Sequence, residues 1–90
     1  MQLVHDQENK QFYISISNQK AVLKYRITSD GNYDLYHTFV PQAARNKGIA
    51  AQLVKAAIQC VQEKKVKIIP TCPYIKTFIR KFPQYQSFLI

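Results

Sequence analysis

Phe39-Val40-Pro41-Gln42-Ala43-Ala44-Arg45-Asn46-Lys47-Gly48-Ile49-Ala50 is the stretch on which the reading of this chain turns. Before it the hydrophobic pattern has period two; after it the period is helical. A strand therefore feeds a loop with two basic residues and a glycine at the start of a helix. Unpaired backbone N–H groups and the positive end of a helix dipole make such a junction an anion site. Gly48 lets the backbone approach a phosphate, and Arg45 and Lys47 add charge. Read structurally, Gly48 only permits the chain to enter the helix.

N-terminal to that stretch the chain reads as four strands. Gln2 to His5 is a weak first one, followed by polar residues from Asp6 to Gln11. Phe12, Ile14 and Ile16 alternate with Tyr13, Ser15 and Ser17 in the second. Ser17 to Lys20 reads as a turn, and Ala21 to Thr28 alternates again. Asp30-Gly31 is a hairpin signal, because glycine takes positive φ at little cost and aspartate tolerates it. The fourth strand, Tyr33 to Val40, would place Tyr33, Leu35, His37 and Phe39 on one face.

C-terminal to it, Ile49, Leu53, Ala56, Ala57, Cys60 and Val61 recur at helical spacing, predicting a helix from about Ala44 to Lys64. Val66 to Pro70 is a short fifth strand. Pro73 suits the first turn of a last helix that ends before Pro83. The tail from Pro83 to Ile90 could pack on its own domain or on a partner. The order ββββαβα gives an α+β fold, mainly an antiparallel sheet, with strands four and five parallel across the helical connection.

Ninety residues allow one domain, expected to span 1–90. No apolar run is long enough for a bilayer, and the N-terminus lacks the pattern of a secretory signal, so a soluble cytoplasmic protein is expected. Two cysteines separated by eleven residues fit no zinc or disulfide framework. The net charge is +8, all of it in residues 41–90, where nine basic residues face the single acid Glu63. That asymmetry suggests an anionic partner, whether nucleic acid, a membrane surface or a phosphorylated cofactor; a solvated basic surface is the competing reading. Nucleic acid is disfavoured, since the long helix has one basic residue, Lys55, between Ile49 and Gln62, and aromatics on strands two to four fall on both faces.

Arg45-x-x-Gly48-x-Ala50, after a strand and opening an amphipathic helix, resembles the pyrophosphate motif of the GNAT superfamily of acetyl-CoA-dependent N-acetyltransferases. His37-Thr38, Arg45 to Ala50, Ile69 to Tyr74 and Pro83-Gln84-Tyr85 resemble its very short, stand-alone members over nearly the whole chain. The resemblance implies a minimal GNAT-like fold whose fifth strand splays from the fourth to open a cleft. It implies acetyl-CoA or CoA as cofactor, with Arg45, Asn46, Lys47, Gly48, Ile49 and Ala50 holding the pyrophosphate. Phe39 and Val40 would pair with the pantetheine as a strand does. The partners implied are acetyl-CoA and an unknown amine, with no membrane, and the protein is expected to be a monomer or weak dimer.

The resemblance has departures. Asn46 stands where relatives often have glycine, and asparagine is the next-best residue for left-handed backbone. Phe78 falls where many members carry a proton-donating tyrosine, and Phe39 where some carry a glutamate base. His37 and Cys72 are then the candidate catalytic residues. His37 could serve as a base or be a hydrogen-bonded structural residue. Cys72, as the N-cap before Pro73, faces unpaired N–H groups and is expected to be the more reactive thiol, while Cys60 sits on the apolar helical stripe. Small relatives carry cysteine at the matching place, which implies an acetyl acceptor or a proton carrier; packing is the competing reading. Tyr74 and Tyr85 could supply a phenol or fill space. A CoA-binding module without turnover remains the second reading, and a small basic nucleic-acid-binding domain the third.

Overall fold

The computed structural model describes residues 2–90. Its elements are β1 (Leu3–Asp6), β2 (Gln11–Ile16), β3 (Gln19–Ile27), β4 (Tyr33–Phe39), α1 (Ile49–Lys64), β5 (Ile68–Ile69) and α2 (Pro73–Lys81). Short 3-10 turns span Gln42–Ala44 and Pro83–Phe88. The sheet order is β1-β2-β3-β4-β5, antiparallel from β1 to β4 and parallel between β4 and β5.

Each hairpin has a local cause. The Asp6 carboxylate accepts hydrogen bonds from the backbone N–H and side-chain amide of Asn9, which folds the chain back towards β2. Ser17 adopts positive φ in a turn tight enough for Gln19 to pair already with Ile16. Gly31, at φ +84°, closes the loop from β3 to β4. The inner face of the sheet presents Phe12, Ile14, Ala21, Leu23, Tyr25 and Leu35, all buried. Against it α1 lays Ile49, Leu53, Val54, Ala57, Ile58 and Val61. Burying each of the isoleucine, leucine and valine side chains contributes roughly 1.5–3 kcal/mol, which is what holds α1 on the sheet.

Strand β4 departs from simple alternation. Lys24 pairs with His37, yet Tyr25 pairs with Leu35, so Tyr36 is an extra residue and the strand bulges there. Arg26 covers the Tyr36 ring on the outer face, 4.2 Å from its centroid. The bulge inverts every later side chain. Tyr33 and Leu35 point into the core, but His37 and Phe39 lie on the outer, solvent-facing side. The expectation that all four share one face is thus corrected. Thr38 takes the inward position, opposite buried Leu23.

Two boundaries also move. Helix α1 starts at Ile49, not near Ala44, because Gly48 takes left-handed backbone at φ +73° and the residues before it form a separate turn. Strand β5 shrinks to two residues, paired as Tyr33–Ile68 and Asp34–Ile69. Pro70 has no N–H to extend the ladder. The tail packs on its own chain: Ile68 bridges Leu89, and the N–H of Ile90 donates to the carbonyl of Ile68 at 3.1 Å.

Candidate functional site

Strands β4 and β5 part company after two residue pairs. The N–H of Cys72 still reaches the carbonyl of Leu35 at 2.9 Å, but from Tyr36 to Phe39 no strand pairs with that edge of β4. A cleft of about 420 Å³ opens at this end, lined by Thr38 and Val40 from β4, residues 44–46 and 48–51, and Tyr74 from α2. That is the size of a small-molecule site.

The loop that floors the cleft is shaped by two left-handed residues, Asn46 at φ +65° and Gly48 at φ +73°. Between the 3-10 turn and the first helical bond, from the N–H of Gln52 to the carbonyl of Gly48, the chain makes no backbone bonds. The N–H groups of residues 46–51 have no acceptor among the described residues. Successive N–H groups around left-handed backbone form a concave anion site, reinforced here by the dipole of a sixteen-residue helix. The Arg45 Nε donates to the carbonyl of Val40 at 3.0 Å, bracing the loop and leaving the rest of the guanidinium for a ligand. Lys47 is exposed beside it, and no carboxylate lines the cleft. A β-carbon built on Gly48 meets nothing within 4 Å, so the space above it is open.

Helix α2 supplies the opposite wall. Its N-cap is Cys72, as the position of Pro73 predicts. The thiol makes no capping bond; it points across the cleft wall to the Thr38 hydroxyl at 3.6 Å. Cys72 is 8% exposed and Cys60 9%, so burial alone does not separate the two thiols. The Cys60 thiol faces the Tyr33 hydroxyl at 3.9 Å, in the core. Tyr74, one helical turn before Phe78, lines the cleft, and burial pushes its phenol above the ordinary value, so it is a protonated donor at neutral pH. Phe78 is 3% exposed and packs against Phe82, Tyr85 and Tyr74.

Val40, Arg45, Asn46, Gly48, Ile49 and Ala50 all line this cleft, whereas Lys47 is exposed and is not part of its lining. Phe39 offers the site only its backbone, since its side chain is 45% exposed on the outer face. His37 lies on that face too, turned away from the cleft by the bulge. Cys72 stands behind Thr38. Thr38 and Tyr74 are the residues that sequence reasoning undervalued: one depended on an unseen bulge, the other was one tyrosine among six.

A family model described as GCN5-related N-acetyl-transferase matches residues 11–88. The chain belongs to that family. Among the relatives of this GCN5-related domain is protein NATD1 of Danio rerio, 40% identical over 88 residues that cover 96% of this chain and 80% of the relative. Protein NATD1 of Homo sapiens is 39% identical over 85 residues, covering 90% and 75% respectively. The solution structure of a GCN5-like protein from Staphylococcus aureus superposes with a TM-score of 0.75, at 22% identity, over 99% of this chain and 87% of that one. At that identity the likeness is one of fold, a five-stranded mixed sheet with β4 and β5 parallel. GCN5-related domains generally use acetyl-CoA. No helix among the described residues is long and apolar enough to cross a membrane.

Proposed function

We propose that this chain, acting as a single domain, binds acetyl-CoA in the cleft between β4 and β5 and transfers the acetyl group to an amine. The observation that carries the reading is the run of unpaired N–H groups at residues 46–51, set beside Arg45 and Lys47 with no carboxylate on the cleft. That donor set fits a pyrophosphate. The unpaired edge of β4 at Phe39 and Val40 fits an extended chain bearing amide groups, as pantetheine does. Two free thiols suit a reducing, cytoplasmic compartment.

Acetyl-CoA, when bound, supplies an activated thioester. The chain's part is to hold it, exclude water and manage one proton. Transfer forms a bond from the amine nitrogen to the acyl carbon and breaks the carbon–sulfur bond; the proton shed by the amine ends on the departing thiolate. Cys72, beside Thr38, is assigned to this step, either carrying that proton or accepting the acetyl group before the amine does. His37 is not assigned to it.

Cys72→Ser and Cys72→Ala are both expected to lower turnover by tenfold or more, about 1.4 kcal/mol in barrier, with acetyl-CoA affinity unchanged. Full turnover in either makes the thiol a bystander, and an acetylated Cys72 trapped without acceptor distinguishes relay from proton carrier. His37→Ala, an exposed change on the outer face, should leave turnover within about twofold. A larger loss at unchanged stability would return His37 to the mechanism. The reading as a whole is tested by calorimetric titration of acetyl-CoA: a folded protein that binds none refutes it.

A further inference from the structure

Helix α2 carries charge without counter-charge. It buries Ile75, Phe78 and Ile79. Helical geometry then sets Tyr74, Thr77 and Lys81 along one flank of the exposed face, at i, i+3 and i+7, with Arg80 next to Thr77 and Lys76 on the far flank. Because Tyr74 lines the cleft, this flank starts at the cleft and reaches Lys81 roughly 10 Å away. From Lys64 to Ile90 the sequence has six basic residues and no acid. The ion pair found among the described residues, Arg26 with Asp34 at 3.9 Å, is on the sheet's outer face. Lys76, Arg80 and Lys81 are thus exposed and have no carboxylate partner among those residues.

The helix dipole accounts for Arg80 and Lys81, in the last turn. It does not account for Lys76, near the start of the helix, where a cation opposes the dipole and nothing offsets it. The cleft is equally one-sided: it has no carboxylate to receive a cationic amine. A polybasic acceptor meets repulsion along α2 and finds no counter-charge in the cleft.

We propose that the acceptor amine is presented by an acidic polypeptide segment that docks along α2. The inference rests on the acyl-transfer reading and names its substrate class. An extended chain advances about 3.3 Å per residue, so carboxylates three or four residues from the amine reach Lys81 and Arg80 while the amine lies beside Tyr74. Lys76, on the flank of α2 away from the cleft, adds to the same positive field. The charges act mainly on encounter and affinity, and salt weakens them.

Labelled ten-residue peptides with one central lysine, flanked by glutamates or by arginines, test this by fluorescence anisotropy and by acetylation rate. The acidic peptide is expected to bind about tenfold or more tightly, and to be acetylated with a correspondingly lower KM at similar kcat. The triple variant Lys76→Glu, Arg80→Glu, Lys81→Glu should lose that preference, and Lys76→Arg with Lys81→Arg should keep it. Equal binding of the two peptides overturns the proposal, as does a preference that survives the triple variant. So does a short oligonucleotide that binds α2 more tightly than the acidic peptide. The anisotropy arm needs no turnover, and acetyl-CoA is titrated separately, so a failure of acyl transfer is told apart from a failure of docking.

Discussion

Gly48→Val is expected to weaken CoA binding by at least about a hundredfold, equivalent to ~2.7 kcal/mol, while the protein stays folded. The two halves of that result have separate causes. Gly48 sits at φ +73°, where a residue with a β-carbon is strained by about 1–2 kcal/mol and a β-branched one by more. A β-carbon there meets no protein atom within 4 Å, so the packed core has no clash to relieve. The added side chain stands beside the unpaired N–H groups that a pyrophosphate would use, and relaxing the strained φ turns those groups away from one another. Gly48→Ala should fall between the two. Calorimetric titration with CoA, alongside circular dichroism, is the measurement; unchanged affinity in a folded Gly48→Val sinks the assignment of the loop.

The second large effect is on stability. Phe78→Ala should cost roughly 3–5 kcal/mol, because the ring is 3% exposed and closes a cluster with Phe82 and Tyr85, at centroid distances of 4.9 and 5.8 Å. In a domain of this size each kcal/mol lowers Tm by roughly 4–8 °C, so a fall of more than about 12 °C is expected. Phe78→Leu keeps most of the volume and should cost far less. Turnover per folded molecule in Phe78→Leu should match the parent, since the ring packs and has no proton to give. A large rate loss in a stably folded Phe78→Leu would contradict that role.

The parts of this fold that were legible in the sequence are those with local causes. Alternation from Phe12 to Ile16 and from Ala21 to Ile27, the turn at Gly31, the helical stripe from Ile49 to Val61 and the N-cap ahead of Pro73 all appear in place. Their signals lie within a few residues of where they act. The parallel pairing of β4 with β5 followed from the long helical connection between them. What escaped was set by a partner strand. The bulge at Tyr36 exists only in the register with β3, and no pattern within Tyr33 to Val40 announces it. One extra residue removed His37 from the cleft side and put Thr38 there. The glycine and its basic neighbours marked the loop, but the start of α1 at Ile49 depended on the left-handed backbone at Gly48. Cys72 as a cap was legible; its thiol turning to Thr38 was not, because that contact joins residues 34 apart in sequence.

The bridge between Ile68 and Leu89 bears on how this protein behaves at high concentration. A sheet edge with free N–H and C=O groups is a template on which another chain can add a strand. On the β5 side that template is closed: Leu89 lies alongside Ile68, Ile90 donates to it, and the Lys67 ammonium holds the carbonyl of Ser87 at 2.7 Å. The opposite edge, β1, is only four residues long and ends on Asp6, whose charge discourages stacking. Edge-to-edge growth is therefore left to β1 and to the short unpaired edge of β4 at the cleft, and a C-terminal fusion that pulls Leu89 and Ile90 from their places opens a further front.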